Sequence, residues 1–286
     1  HIHDSKLYAV EHIEEMIDEF ERNVTARGGK VFRADTGVEA REYVCKLAKE
    51  RGVKSIVKSK SMATEEIALN EALRDEGMEV QETDLGEFII AITGDTPSHM
   101  VMPAIHFSKE QVADLFTDFT CEKNNPVITE LVATSRKYMR EKFINADMGI
   151  SGANIAVAET GTLVTVSNEG NARLTGTLPP LHVYVVGIEK FVPKFSDVRY
   201  TLKALPRNGT AQTITTYVSM YTGETEACLD AEQDIKGPKE FHVVILDNGR
   251  RELMKQEDFR EIACCIRCAA CLNVCPAFKF VGGHVY

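Results

Sequence analysis

The chain has 286 residues, 44% of them hydrophobic, and a formal net charge of −10. That length and apolar content suit one large α/β core or two modest ones, and the acidic balance argues against a nucleic-acid partner, which would demand a basic face. No apolar stretch approaches a bilayer span, and the acid-rich start between Glu11 and Glu21 is unlike a signal peptide, so the expected compartment is the cytoplasm.

Leu7, Val10, Ile13, Ile17, Phe20 and Val24 recur at spacings of three and four, drawing one apolar stripe along an otherwise acidic helix. Residues 1–29 are therefore expected to form an amphipathic helix packed on the chain's own core. From residue 30 the pattern alternates. Lys30 to Ala34 reads as a strand, Thr36 with Glu39 is a capping box opening a helix to Lys49, and Ser55 to Val57 is a strand. Ala63 to Glu76 reads as a helix closed by Gly77, and Glu79 to Thr83 returns as a strand. Such a β-α-β-α-β run predicts a parallel sheet flanked by helices on both faces. Ser108 with Gln111 caps another helix, and Pro126 to Asn145 supplies a long one. Asn154 to Ala158, Gly161 to Ser167, Leu181 to Ile188 and Phe241 to Asp247 read as strands. Residues 30–250 thus form one α/β domain, and a helix from Arg251 to Ala263 opens a separate segment, 251–286.

Three polar constellations stand out in the α/β part. Lys58, Ser59 and Lys60 end a strand and lead into a helix, where parallel sheets place ligand sites and an anion fits. Glu159, Thr160 and Gly161 offer a carboxylate and a flexible backbone at a strand junction, and Asn168, Glu169 and Asn171 gather amides and a carboxylate in one loop. Turn chemistry alone accounts for the last two equally well. His99 and His106, flanked by Pro97 and Pro103 without metal-ligand spacing, read as loop hydrogen-bonders.

The chain contains eight cysteines, five of them between 264 and 275, while Cys45, Cys121 and Cys228 are scattered and read as reduced core residues. Cys265-x-x-Cys268-x-x-Cys271-x-x-x-Cys275-Pro276 is the run of a bacterial-type ferredoxin half. A structural zinc site would use two separated Cys-x-x-Cys pairs instead. At this spacing Cys265, Cys268 and Cys271 serve one [4Fe-4S] cluster while Cys275 serves a second, so a matching run is expected beyond Tyr286. Two clusters are then expected in a full-length protein, and absent or incomplete clusters in this length of chain. Cys264 reads as a buried bystander.

Several blocks now combine: Lys58-Ser59-Lys60-Ser61-Met62-Ala63-Thr64-Glu65-Glu66, Glu82-Thr83-Asp84-Leu85-Gly86-Glu87, Pro97-Ser98-His99, Ala158-Glu159-Thr160-Gly161, Asn168-Glu169-Gly170-Asn171, Gly187-Ile188-Glu189-Lys190, Leu246-Asp247-Asn248-Gly249-Arg250 and Cys265-Ile266-Arg267-Cys268. Ordered in one chain, they resemble the lactate utilisation protein B family, the iron–sulfur subunit of a bacterial L-lactate utilisation system. The resemblance implies a lactate-utilisation domain of the NagB/RpiA/CoA-transferase-like α/β fold followed by the first half of a two-cluster ferredoxin-type segment. It also implies two partners, a cysteine-rich subunit and a second lactate-utilisation-domain subunit, which together with this chain oxidise L-lactate to pyruvate. The expected role is electron transfer, without activity in isolation and with a small carboxylate as substrate. The alternatives are an acyl- or CoA-handling enzyme of the same fold, with Glu159 or Glu169 as nucleophile or base, and a non-catalytic scaffold. No Gly-x-Gly-x-x-Gly fingerprint follows a strand, so flavin or nicotinamide binding has no support.

Overall fold

The computed structural model describes residues 1–225 and 239–283. At its centre is a 6-stranded parallel sheet of β1 (Lys30–Ala34), β2 (Ser55–Lys58), β3 (Glu79–Glu82), β4 (Met148–Gly152), β7 (Leu181–Gly187) and β10 (Glu240–Leu246), in the order β1-β10-β7-β4-β2-β3. A second, 4-stranded sheet runs β8-β5-β6-β9, from β5 (Ile155–Val157), β6 (Thr162–Ser167), β8 (Phe191–Val192) and β9 (Tyr217–Tyr221).

Every residue of β7 is buried, as a strand covered on both faces requires. Successive side chains point to opposite faces. Val183 and Val185 join Ile56, Met148 and Val244 under α3 (Gly37–Glu50) and α5 (Leu69–Asp75). Tyr184 and Val186, with Val243 and Ile245 of β10, face the second sheet and α2 (Ile13–Thr25). Beside β2 that face is covered by α6 (Leu85–Thr93), α7 (Lys109–Thr120) and α8 (Ile128–Asn145), which meet at Val57, Phe88, Phe116 and Phe143. The sheet is thus flanked by helices on both faces, the α/β architecture that the alternating pattern predicts.

Both expected capping boxes form: Thr36 accepts from the Glu39 amide and Ser108 from the Gln111 amide, with the reciprocal bonds present. Other expectations need correction. The N-terminal stripe spans two helices, α1 (Ile2–Glu11) and α2, because His12 leaves helical geometry at φ −121° while the apolar spacing carries on unbroken. The helix expected from Ala63 to Glu76 is α4 (Met62–Glu66) and α5, parted at Ala68, whose left-handed φ of 48° no spacing rule reveals. The helix expected from Arg251 to Ala263 is the shorter α11 (Arg250–Lys255), followed by a 3-10 turn over Arg260–Cys264. Cys45 is buried, but Cys121 is exposed at the C-terminus of α7, with a left-handed φ of 55°, and Cys264 is half-buried. Cys228 lies outside the described residues. No helix among the described residues is long and apolar enough to cross a membrane.

Candidate functional site: a cleft where strand order reverses

After β2 the chain moves outward to β3, whereas after β4 it moves the other way, to β7 and then β10. The loops leaving β2 and β4 therefore part company at the carboxyl edge of the sheet, and a crevice opens between them. The crevice is a cleft of about 670 Å³. Loops following β2, β4, β7 and β10 all reach it, bringing Ser59, Lys60, Gly152, Lys190 and Arg250 together from distant parts of the chain. Two glycines permit the close approach. A β-carbon on Gly152 would lie 2.4 Å from Ser61 Oγ, and one on Gly187 would lie 2.0 Å from Glu189 Oε2.

Of the nine residues in the three polar constellations, the structure brings Ser59, Lys60, Asn168, Glu169 and Asn171 to this cleft. Lys58 is fully buried in the wall, its Nζ donating to Glu82 Oε1 at 2.6 Å, as the parallel register of Lys58 beside Glu82 allows. Asn70 donates to the same oxygen at 2.7 Å. Glu159, Thr160 and Gly161 stand outside the cleft. The Glu159 carboxylate accepts from the Phe195 amide at 2.9 Å, Thr160 bonds Thr162, and Gly161 lies against Asn23 and Val24 of α2. This stretch fastens α2 to the second sheet, with Asn23 donating to the carbonyls of Ala158 and Glu159.

Inside the cleft most polar groups are already engaged. Lys60 Nζ donates to Glu87 Oε1 at 2.5 Å. Ser59 donates to Ser151 at 3.2 Å, and Ser151 Oγ lies 3.0 Å from Nε2 of the fully buried His182. Burial holds His182 well below the usual histidine range, so it is neutral. Asn168 binds Gln212, Thr215 and Thr216, securing the segment before β9, while Asn171 accepts from Ser167.

Acidic groups gather on the side of α6, where Glu169 is joined by Asp84 and Glu65, which were not among the residues expected to form the site. Asp84 caps that helix through the amides of Gly86 and Glu87, and Glu169 accepts from the Leu85 amide at 3.2 Å. Desolvation, then the Asp84 charge, pushes the Glu169 carboxyl up to about 7, and Asp84 is itself raised, chiefly by desolvation. Glu65 on α4, close to Glu87 of α6, is likewise pushed up to about 7 by desolvation. Opposite lies a basic side. Arg250 is held between Glu66 and Glu189, each 2.6 Å away, and Lys190 and Arg267 stand beyond it. The blocks Gly187–Lys190, Leu246–Arg250 and Cys265–Cys268 were the signal for this side.

The cysteine run borders the same cleft, since Cys268 and Arg267 form part of its rim. Cys265, Cys268, Cys271 and Cys275 are all unpaired, and Cys265 and Cys271 are exposed. Arg267 and Ala269 take left-handed φ of 60° and 62°, which coils the backbone so that the Arg267 amide donates to Cys265 Sγ at 3.3 Å. Cys271 sits in α12 (Ala270–Val274), and Cys275 precedes α13 (Pro276–Val281), whose first position is proline. The Gly283 amide donates to Ser98 O at 2.8 Å, and Phe278 meets the His99 ring edge-on at 5.4 Å. His99 and His106 bond within their loop, as expected: His99 Nδ1 accepts the amides of Val101 and Met102, and His106 contacts Ser98 and Asp95. From the other end of the chain, Lys6 donates to the carbonyls of Glu189 and Phe191, and burial pushes its amine down to about 8.

A doubly covered parallel sheet with a switch-point cleft, bordered by a cysteine-bearing segment, defines the class as an α/β domain. The family model of the LUD domain matches residues 17–246, and the chain belongs to the LUD-domain family. It is 44% identical over 280 residues to lactate utilization protein B of Bacillus subtilis strain 168, covering 98% of this chain and 57% of that protein. It is 42% identical over 287 residues to the protein of the same name from Bacillus velezensis, covering 100% of this chain and 59% of the relative. For the Bacillus licheniformis protein the identity is 45%, covering 98% of this chain and 57% of the relative. The chain thus spans less than three fifths of the length of the curated relatives it matches. Among solved structures, a DUF162 family protein from Deinococcus radiodurans aligns at TM-score 0.46 and 13% identity, covering 82% of this chain and 97% of that one.

Proposed function

We propose that the chain is the lactate-utilisation domain and first cluster segment of an iron–sulfur electron-transfer subunit, acting in a cytoplasmic complex that oxidises L-lactate to pyruvate. The observation that carries this reading is the shared border, with Arg267 and Cys268 on the rim of the cleft that holds Ser59 and Asn171. A ligand in that cleft lies beside Cys268. The names of the relatives supply lactate as the substrate class.

The donor set fits an iron–sulfur group. Four unpaired cysteines in ferredoxin spacing, two of them exposed, with a backbone amide donating to one sulfur, are soft ligands of the kind such a group takes. Cys265, Cys268 and Cys271 would hold one [4Fe-4S] cluster and Cys275 a second, completed by residues outside this chain. When bound, such clusters accept and pass single electrons, and the protein sets their position and potential. The chain's own residues bind and orient the carboxylate, while the carboxyls of Glu65 and Glu169, poised near neutrality, are suited to receive the hydroxyl proton. A cysteine-rich subunit and a second LUD-domain subunit complete the complex. Glu159 lies outside the cleft, so an acyl-transfer reading at this cleft draws on Glu169.

Iron analysis with electron paramagnetic resonance on the full-length protein tests this. Two [4Fe-4S] signals are expected, with Cys268→Ser losing one and Cys275→Ser altering the other. A full-length protein that binds zinc and no iron, or that keeps both signals in these variants, overturns the proposal.

A further inference from the structure

The charge in the cleft is unevenly compensated. Of its four cations, Lys60 is matched by Glu87 at 2.5 Å, and Arg250 by Glu66 and Glu189 at 2.6 Å each. Among the described residues Lys190 pairs only with Glu189, at 3.7 Å, through a carboxylate whose other oxygen already serves Arg250. Its side chain is 15% exposed, so water compensates it poorly. Arg267 has no carboxylate within 4 Å among the described residues, and it lines the same cleft as Lys190, whose pKa is lowered chiefly by burial and further by the Arg267 charge. Two like charges facing one cavity, one of them largely desolvated, attract an anion into the space between them. The opposite side, around α6, carries Glu65, Asp84 and Glu169, so the cleft has a basic and an acidic end.

We propose that Lys190 and Arg267, and not the lysines of the Lys58-Ser59-Lys60 turn, form the carboxylate-binding subsite of this cleft. The ligand class is a small α-hydroxy or α-keto acid, its carboxylate held at the basic end beside Cys268. A guanidinium and an ammonium suit this task, the first gripping two carboxylate oxygens and the second acting as a point charge. The assignment deepens the lactate reading and rests on it for substrate class, but it needs no cluster.

The test is calorimetric titration of the 286-residue chain with L-lactate, with sodium sulfate in a parallel arm. Saturable lactate binding is expected, weakened at least about tenfold by Lys190→Met and by Arg267→Met, as loss of a charge-assisted bond implies. Arg267→Lys should restore part of it, and Lys46→Met, far from the cleft, should change nothing. Circular dichroism guards against misfolding, and if Lys190→Met unfolds, the Arg267 pair decides alone. Unchanged lactate affinity in folded variants, or sulfate binding without lactate binding, overturns the subsite. Lactate binding that persists when the full-length protein lacks iron signals would sink the electron-transfer reading while leaving the subsite standing. Intact iron signals without lactate binding would do the reverse.

Discussion

Lys58 and Lys60 show how neighbouring identical residues acquire different fates. A strand side chain and the one two positions on share a face, yet β2 ends between them, so Lys58 enters the sheet beside Glu82 while Lys60 reaches across to Glu87 on α6. Sequence marked both as anion holders, since neither carboxylate partner is near in the chain. Lys58→Met should destabilise the protein by about 3–5 kcal/mol in urea denaturation, because it strands Glu82 in the interior, whereas pairing it with Glu82→Leu should recover most of the loss. A single variant as stable as the parent would refute the ion-pair account. The carboxyls give a second prediction. Glu169 is held near 7 in the folded chain, above its ordinary 4.5, so folding favours its protonated form. The associated stability is complete below about pH 4.5 and is lost as pH rises through 7. Glu169→Gln should therefore match wild type at pH 5 and exceed it at pH 8. With solvent screening at this exposed side chain the gain is modest, about 2 °C in Tm. A difference already full at pH 5 would show that the group does not titrate in this window.

Elements were legible where one period governed them and illegible where a single backbone angle did. The capping boxes at Thr36 and Ser108, the buried strands β7 and β10 and the long α8 were all readable, because each repeats a local rule over several residues. Breaks at His12 and Ala68 were not, since the apolar spacing continues through both. α9 (Asn171–Thr177), α10 (Val198–Thr210) and the strand β9 were passed over as well. β9 has half-exposed, mixed side chains, a weak signal by any period. At the cleft, Ser59 and Asn168 were found from turn position, whereas Lys190, Arg250 and Arg267 sit in recognisable blocks whose shared site appears once those three distant segments meet. Gly187→Ala tests that meeting. Its new methyl would enter the space of the Glu189 carboxylate, so a loss of about 1–3 kcal/mol is expected in thermal or urea unfolding. The change should reach Arg250 as well, which Glu189 holds. A neutral result would mean the turn after β7 yields freely.

At the scale of the molecule, β1 pairs among the described residues only with β10, so residues 30–34 find their sheet partner at 242–246. The helix α3 that follows β1 must cross to β2, near the far edge. During synthesis, the first strand emerges long before its neighbour exists, and its apolar face must wait in an incomplete sheet. Long-range pairings of this kind form slowly, because loop-closure entropy is met before contacts repay it. Chains released just before Glu240 should therefore remain open to proteolysis around β1 and α3, while those extended past Leu246 should resist it; equal resistance of both would show that β1 docks without β10. A nascent chain of this topology thus has a long window in which β1 is an unguarded strand edge, and holding it apart from other copies becomes a task for the cell's chaperones.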